Sequence, residues 1–357
     1  MADEKRPIVA FLGPEGSYTH QAALSAFPPT SPTTPPVTLT PSITIEDVFS
    51  AVQSGTAYRG VVPFENSSNG SVVFTLDLFA DLNNKYPDIL VAGEAYVAVK
   101  HCLLGYSNAS STGERDGDGR DGDGRDGDGR DGRDGTDFSH IKKLYSHPQA
   151  WGQCKKFLAK YLKTAERHDV SSTSKAAEIA SQDKTGESAA LSSEIAAELF
   201  GLDVLAKEIN DKKGNSTRFF VIRRKNDDAM PSTSTPTPTT PTPPPSTSSN
   251  NANTWKSLVT FTIEHSNPGA LANCLTVFSR HGINLTSINT RPSGVRNWHY
   301  VFFVEFKGRK TDGGGEDGDG DGDVDKALGE LDKVCRGWRW LGSWENRLVD
   351  EGDGEGE

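Results

Sequence analysis

Short apolar runs alternate with stretches of helical periodicity over the first 226 residues of the chain. Apolar runs bounded by turn residues indicate strands, whereas apolar residues spaced three and four apart indicate helices. The predicted strands are Ile8–Leu12, Gly60–Phe64, Ile89–Val99, Lys143–Ser146, Ser188–Leu191 and Arg218–Arg223. The predicted helices are Tyr18–Phe27, Ile45–Gln53, Val72–Leu82, Pro148–Tyr161, Ser174–Ser181 and Ser193–Phe200. Such alternation is typical of an α/β fold with largely parallel strands.

A different pattern follows residue 254. Its successive segments are LVTFTIEH, PGALANCLTVFSRHG, NLTSINTRPS, NWHYVFFVEF, VDKALGELDKVC and GWRWLGSWE. They predict the element order βαββαβ, which is typical of a small ferredoxin-like domain.

Segments of biased composition interrupt these two regions. Residues 112–137 repeat RDGDG and carry too few apolar side chains to offset the entropy of ordering, which predicts a disordered insertion. Residues 227–254 are rich in Pro, Ser and Thr, which predicts an extended linker. We therefore expect one domain over 7–226 and a second over 255–347.

Composition narrows the class of protein. The chain of 357 residues is 34% hydrophobic and 24% charged, which is enough apolar material for a sizeable core. A net charge of -11 gives no attraction to phosphate backbones or anionic membranes, so we expect neither nucleic acid nor membrane as a partner. The four cysteines form no CxxC pair, which favours reduced thiols over disulfides or zinc. A strand-like run close to the first residue leaves no room for a leader, and we expect a cytoplasmic protein.

Small hydrogen-bond donors are concentrated where predicted strands end. The turns are GPEGSYT after the first strand, ENSSNGS after the second, and later SHPQ, SSTS and Ser192-Ser193. Each turn on its own is explained by helix capping. Several such turns in one α/β domain instead favour a shared anion site, because ligands bind beyond the carboxyl ends of strands.

The segment GNSTRFFVI adds an amide, two hydroxyls and a guanidinium at the start of the last strand of this region. The fork of Arg218 suits a carboxylate, although a surface ion pair is the alternative. No dinucleotide fingerprint, P-loop, HExxH or GxSxG motif occurs. An anionic small molecule held by neutral donors and one arginine is therefore the predicted ligand.

These residues resemble one family, prephenate dehydratase. The motifs that carry the resemblance, in their usual order, are GPEGSYTHQAA, PFENSSNGSV, HCLL, SHPQAWGQC, SSTSKAAEIA, LSSEIAAELFGL and NSTRFFVI. The second region resembles an ACT domain through PGALANCLTVFSRHGINLTSINTRPS. The likeness covers nearly the whole chain outside the biased segments, and no chorismate-mutase-like segment precedes Ile8, so we expect a monofunctional enzyme.

The resemblance implies a two-lobed catalytic domain like a type II periplasmic binding protein, followed by a regulatory ACT domain. It implies a homodimer or tetramer, prephenate as substrate, L-phenylalanine as effector, and neither cofactor nor metal. The implied catalytic residues are Thr217 and Glu65. The implied substrate-binding residues are Ser17, Asn66, Ser67, Ser146, Gln149, Ser172, Thr173, Asn215, Arg218 and Phe219. The implied effector-binding residues are Gly269, Ala270, Leu271, Asn284 and Leu285.

Three points stay open at the level of sequence. The substrate is prephenate or its amino-acid counterpart arogenate, since motif types do not separate the two. An amino-acid sensor without turnover is a further alternative, because one fold serves many functions. Where the family commonly has Glu-Ser-Arg-Pro, this chain has Asn289-Thr290-Arg291-Pro292, which removes a carboxylate from the expected effector site.

Overall fold

The computed structural model describes residues 6–28, 37–107, 137–227, 255–310 and 322–348. All but the last residue of the predicted insertion and the first of the predicted linker lie outside these ranges. The chain divides into two compact units. One contains residues 1–13, 22–97 and 216–357, and the other contains residues 14–21 and 98–215.

The first unit contains a mixed sheet with strand order β2-β1-β3-β11-β5, and β4 pairs with β3 at its end. Its strands are β1 (Ile8–Leu12), β2 (Thr38–Ser42), β3 (Arg59–Asn66), β4 (Gly70–Ser71), β5 (Ile89–Ala98) and β11 (Ser216–Arg224). Its helices are α2 (Ile45–Gln53) and α3 (Val73–Ala80), while α1 (Tyr18–Ala26) has residues in both units. β1 runs parallel to β2 and β3, whereas β11 is antiparallel to β3.

Helix α2 shows how local sequence fixes an element. Thr44 accepts a hydrogen bond from the backbone N–H of Asp47, whose carboxylate accepts one from the Thr44 N–H. This capping box satisfies two donors that the first turn otherwise leaves unpaired. The apolar face of the helix buries Val48, Phe49 and Val52 against the sheet.

The second unit contains a five-stranded sheet with order β10-β6-β9-β7-β8. Its strands are β6 (Cys102–Gly105), β7 (Lys143–Ser146), β8 (Glu166–Asp169), β9 (Ser188–Ser192) and β10 (Asp203–Ala206). Its helices are α4 (Pro148–Gln153), α5 (Lys155–Tyr161), α6 (Thr173–Gln182) and α7 (Glu194–Phe200). β7 is parallel to β8 and β9, whereas β6 is antiparallel to both of its neighbours.

Two expectations need correction. Strand direction is mixed in both sheets, so the description as largely parallel was wrong in detail. The single helix predicted over Pro148–Tyr161 is broken at Cys154, which has non-helical backbone angles. Asp211 explains the break, because its N–H bonds the carbonyl of Gln153 and its carboxylate accepts the N–H of Lys156.

The C-terminal region has the predicted order βαββαβ, which confirms that part of the fold. Its elements are β12 (Trp255–Thr262), α8 (Ala270–Arg280), β13 (Leu285–Pro292), β14 (Tyr300–Lys307), α9 (Gly322–Val334) and β15 (Gly337–Glu345). The strands form an antiparallel sheet in the order β13-β14-β12-β15. Helices α8 and α9 pack on one face of this sheet around a core that includes Phe278 and Phe306.

The other face of this sheet shares a hydrophobic core with the first sheet. Phe303 and Trp344 belong to the same buried cluster as Phe64 and Phe220. The two sheets approach closely at Gly342, since a Cβ added there would lie 2.2 Å from the carbonyl oxygen of Val91. A side chain at position 342 would therefore overlap the backbone of Val91. In addition, the φ of +131° at Gly342 is unfavourable for any residue other than glycine.

Candidate active site

The antiparallel pairing of β3 with β11 joins two of the sequence motifs. Thr217 lies opposite Asn66, and Arg218 lies opposite Glu65. The Asn66 side-chain amide donates to Thr217 Oγ1 at 2.9 Å and to the carbonyl of Ser216 at 3.1 Å. The ENSSNGS turn and the NSTR segment therefore form one local structure.

Further hydrogen bonds fix this turn. Ser67 donates its N–H to the carbonyl of Ser216, and its hydroxyl accepts the N–H of Ser216 at 3.0 Å. Asn66 Oδ1 accepts the backbone N–H groups of Ser68 and Asn69, both at 3.0 Å. Hydrogen bonds of this kind, from Asn and Ser side chains to nearby backbone groups, stabilise a tight turn at the point where the strand ends. Asn66 and Ser67 are thus structural supports for Thr217 as well as predicted substrate ligands.

Thr217 is half-buried, and its hydroxyl has a defined role in this network. Because Oγ1 accepts the Asn66 amide, the hydroxyl hydrogen can be donated to another acceptor. Hydrogen bonds in a chain polarise one another, so this acceptance strengthens the hydroxyl as a donor. Glu65, the other predicted catalytic residue, is half-buried on the neighbouring strand and pairs with Ser71 across the β3–β4 hairpin.

Arg218 does not have the environment expected of a substrate ligand. Its Nη2 lies 2.6 Å from Glu94 Oε2 and 2.7 Å from Glu305 Oε2, and the residue is buried. Successive side chains of a strand point to opposite faces, so Arg218 is directed away from the side on which Thr217 meets Asn66. Two internal carboxylates thus lie against the Nε and Nη2 atoms of the guanidinium that was expected to hold a substrate carboxylate.

Two neighbours of this pair are also buried. Phe219 is buried and belongs to the hydrophobic core of the first unit. A register shift between Arg218 and Phe219 changes the pairing with β3 at this point. Asn215 precedes β11, and its backbone carbonyl accepts the N–H of Val99 at 2.8 Å.

The second unit brings several hydroxyl-rich turns to one edge of its sheet. β8, β7 and β9 run parallel, so the turns that follow them lie at the same end. These turns lead into helices α4, α6 and α7. Helix N-termini present unpaired N–H groups and positive dipole ends, which is a favourable arrangement for an anion.

The GPEGS turn lies at the same place. Ser174 donates its hydroxyl to the carbonyl of Glu15, and Ser193 donates to the carbonyl of Gly16 at 3.0 Å. Gly16 has a φ of +76°, and a Cβ there would be 2.9 Å from Ser174 Oγ. The glycine therefore allows the turn to pack directly on the starts of α6 and α7.

Individual side chains at this edge have mainly local partners. Ser17 accepts the N–H of His20, Ser172 accepts the N–H of Lys175, and both are caps of the kind weighed in the sequence. Ser146 is fully buried and donates to the carbonyl of Leu191 at 2.8 Å. Gln149 and Thr173 lie in the first turns of α4 and α6.

Sequence reasoning did not assign a role to Tyr18 or His101. The Tyr18 hydroxyl lies 3.2 Å from His101 Nδ1, and His101 Nε2 lies 2.7 Å from Gln153 Oε1. Burial lowers the pKa of His101, which favours the neutral ring, and burial raises the pKa of Tyr18. His101 of the HCLL motif therefore forms a partly buried polar link between α1 and α4, which single-residue patterns do not reveal.

The predicted effector residues lie at the start of α8 and of β13. Gly269 caps α8 with a φ of +79°, and Ala270, Leu271 and Leu285 pack against the same core. The backbone carbonyl of Asn284 accepts the N–H of Lys307 at 2.9 Å.

The described part of the first unit has cavities of about 430 and 600 Å³, and none of the predicted substrate-binding or effector-binding residues lines them.

The segment Asn289–Pro292, which differs from the family's usual Glu-Ser-Arg-Pro, contacts β4 and α3 of the first unit. The Ser71 hydroxyl donates to Asn289 Oδ1 at 2.6 Å, and Arg291 Nε lies 2.5 Å from Asp77 Oδ1.

No helix in the described ranges is long and apolar enough to cross a membrane.

Comparison with known proteins accounts for both regions. A family model described as Prephenate dehydratase matches residues 9–227, and one described as ACT domain matches residues 262–315. A bifunctional chorismate mutase/prephenate dehydratase of Aquifex aeolicus is 34% identical over 348 residues, covering 98% of this chain and 76% of that protein. A probable prephenate dehydratase of Saccharomyces cerevisiae is 33% identical over 339 residues, covering 85% of this chain and 88% of that protein.

A solved structure shows the same fold. The prephenate dehydratase of Arthrobacter aurescens, in complex with L-Phe, has a TM-score of 0.67 and 26% identity, covering 95% of this chain and 90% of that one. The likeness therefore extends over both the catalytic and the C-terminal regions. The chain belongs to the prephenate dehydratase family, whose members are lyases that dehydrate prephenate, and it carries a C-terminal ACT domain.

Proposed function

We propose that this chain converts prephenate into phenylpyruvate, carbon dioxide and water, with Thr217 as the hydrogen-bond donor to the departing hydroxyl. The observation that carries the proposal is the bond from the Asn66 amide to Thr217 Oγ1, which orients the hydroxyl where two family motifs meet. Membership of the family indicates the reaction. The hydrogen bond from Asn66 orients a hydroxyl that is suited to assist the departure of the substrate hydroxyl.

The difficulty of the reaction is the leaving group. Loss of carbon dioxide leaves an electron pair that makes the ring aromatic, but hydroxide departs slowly unless it is protonated as the carbon–oxygen bond breaks. A threonine hydroxyl is too weak an acid to ionise freely near neutral pH. Thr217 therefore orients and polarises the leaving oxygen, and a water molecule or Glu65 assists delivery of the proton.

The substrate's two carboxylates need donors that do not themselves react. The helix starts of the second unit provide backbone N–H groups near Ser17, Gln149, Ser172 and Thr173, and we assign the carboxylates to that edge. Holding both carboxylates aligns the breaking carbon–carbon bond with the ring, a positioning effect that can lower the barrier by several kcal/mol. Arg218 is left out of this assignment because its fork is occupied by Glu94 and Glu305.

The function is tested by incubating the purified full chain with prephenate and recording the ultraviolet absorbance of phenylpyruvate. Turnover that depends on enzyme concentration supports the proposal, and its absence contradicts it. Parallel reactions with arogenate give the ratio of kcat/KM for the two substrates. We expect prephenate to be preferred, and a preference for arogenate would replace the substrate while keeping the chemistry.

Regulation by L-phenylalanine through the ACT domain is part of the proposal. The Arthrobacter aurescens relative is described in complex with L-Phe. Here the effector would bind beside Gly269, Ala270 and Leu271 and beside Asn284 and Leu285. We also propose that the chain forms a homodimer or tetramer through its ACT domains, since β13 is an edge strand that can pair with another chain. A cytoplasmic location is a further part of the proposal.

A further inference from the structure

Four charged side chains are buried together where the ACT sheet packs on the first sheet. We call Glu94, Arg218, Lys256 and Glu305 the ion quartet; each is between 1% and 7% exposed. Glu94 and Arg218 lie on β5 and β11, whereas Lys256 and Glu305 lie on β12 and β14 of the ACT domain. Two carboxylates balance two cations, so the group is neutral as a whole.

The quartet is closely connected. Arg218 Nε donates to Glu94 Oε2 at 2.9 Å, and Arg218 Nη2 lies 2.6 Å from Glu94 Oε2 and 2.7 Å from Glu305 Oε2. Lys256 Nζ lies 3.5 Å from Glu94 and 3.7 Å from Glu305. Arg218 therefore bridges a carboxylate of the catalytic region and a carboxylate of the ACT domain.

Surrounding groups keep these charges in place. Thr286 donates its hydroxyl to Glu305 Oε1 at 2.9 Å, and the N–H of Arg347 donates to Glu94 Oε1 at 2.9 Å. The guanidinium carbon of Arg218 lies 4.9 Å from the ring centre of Phe220 and 5.9 Å from that of Trp344. Burial disfavours the charged form of Glu94, but attraction to Arg218 and Lys256 outweighs it and lowers the pKa of the carboxyl.

Stability alone is a poor explanation for such a group. Removing four charges from water is costly, and well-packed apolar side chains of similar volume often stabilise a protein equally well or better. Fixing one arrangement of elements is the best-attested use of a buried ionic group, to be tested case by case. Here the arrangement in question is the position of β11 relative to the ACT sheet.

The position of Arg218 in the sequence gives the quartet its significance. Arg218 directly follows Thr217 on β11, and the Thr217 hydroxyl accepts a hydrogen bond from Asn66 on the neighbouring strand β3. The backbone between the two residues is a single peptide unit. A displacement of the β11 backbone at Arg218 would therefore also move the backbone of Thr217.

We propose that Arg218 is a positioning residue through which the ACT domain sets the placement of Thr217, with Glu305 as its partner in that domain. The inference rests on the proposed function, in which Thr217 contacts the leaving oxygen. It predicts that weakening the Arg218–Glu305 contact lowers kcat while KM for prephenate stays the same. A direct role of Arg218 in holding substrate predicts the reverse.

The test compares variants of the full chain. Glu305→Gln removes the charge but keeps the shape, and Glu305→Asp keeps the charge. Asp77→Asn is the matched control, because it breaks the Arg291–Asp77 pair between the ACT domain and α3 without involving β11. We expect Glu305→Gln to lower kcat about tenfold with KM within about twofold, Glu305→Asp to recover part of the loss, and Asp77→Asn to match the parent.

Amide hydrogen exchange gives a readout that does not need activity. We expect the amides around Thr217 and Arg218 to exchange faster in Glu305→Gln than in the parent or in Asp77→Asn. If Glu305→Gln does not fold, Thr286→Val removes a hydrogen bond to Glu305 and keeps all four charges, with an expected threefold loss of kcat.

The outcomes separate the two proposals. A parent without turnover on prephenate contradicts the proposed function, and the exchange rates then decide whether Glu305 positions β11. An active parent with unchanged kcat and unchanged exchange in Glu305→Gln overturns the inference. So does an equal loss in Asp77→Asn, or a rise in KM at constant kcat.

Discussion

Thr217 and Arg218 are adjacent in the sequence, yet their side chains have different partners. Thr217 is held by an amide on β3, and Arg218 by carboxylates on β5 and β14. The run of polar letters in NSTR suggested that both side chains face one ligand. Strand geometry instead separates them: the arginine lies in the interior with Glu94 and Glu305, and the threonine meets Asn66.

Replacing Thr217 tests the residue at the centre of the proposed mechanism. We expect Thr217→Ala to lower kcat by about a hundredfold or more, the scale of one general-acid contact, because no hydroxyl then meets the leaving oxygen. Binding of prephenate should change little. Steady-state production of phenylpyruvate measures both parameters.

Thr217→Ser is the matched control, since it keeps the hydroxyl and removes only a methyl group. It should retain most of the turnover. A Thr217→Ala enzyme with the kcat of the parent would contradict the assignment.

At the scale of elements, strong patterns predicted the structure well. The bounds of Ile8–Leu12, Ile45–Gln53 and Lys143–Ser146 were correct, because apolar runs and a capping signal coincide there. The short strands β2, β4, β6, β8 and β10 were missed. Of these, β2, β8 and β10 lie at sheet edges, where one side is unpaired and the side chains need not alternate in polarity. β6 lies inside its sheet, and its four residues are all buried, so it has no alternating pattern either.

Contacts distant in sequence explain the remaining differences. The break at Cys154 depends on Asp211, and the environment of Arg218 depends on Glu305 in the other region. Neither partner can be recognised from the local pattern around the residue it affects. Turns that gather at one sheet edge could be predicted, since parallel strands place their ends together.

Gly342 allows a test of how closely β15 and β5 pack. We expect Gly342→Ala to lower the free energy of unfolding by roughly 3 kcal/mol or more, because the new Cβ would overlap the backbone of Val91. Urea denaturation followed by tryptophan fluorescence measures the change.

Gly337→Ala is the matched control on the same strand, since nothing lies within 4 Å of a Cβ there. Its effect should be within about 1 kcal/mol. Equal losses for the two variants would show that the close approach to Val91 does not constrain the fold.

At the scale of the molecule, the ACT domain and the first sheet share a core. Trp344 comes from the ACT domain, and its ring centre lies 5.1 Å from that of Phe220 on β11. Phe220 in turn stacks on Phe64 at 4.0 Å. These residues therefore belong to one buried cluster, although Phe64 and Phe220 lie in the first sheet and Trp344 lies in the C-terminal sheet.

Trp344→Ala tests this shared core. We expect a loss of about 3 to 5 kcal/mol in the free energy of unfolding, the range for removing a large buried aromatic side chain. Far-ultraviolet circular dichroism and fluorescence should give one coincident transition at lower urea. Trp298→Ala is the control, because Trp298 is 83% exposed and its removal should cost about 0.5 kcal/mol at most. Similar losses in the two variants would contradict a shared core.

The hydrogen bond between Ser71 and Asn289 has a consequence for ionic strength. It joins the β3–β4 hairpin to β13 through two uncharged side chains, whereas the nearby Arg291–Asp77 pair is charged and partly exposed. Dissolved salt screens exposed charge pairs and leaves neutral hydrogen bonds nearly unaffected. An amide at position 289 therefore gives this chain one link from the ACT sheet to the hairpin beside Thr217 that persists in concentrated electrolyte.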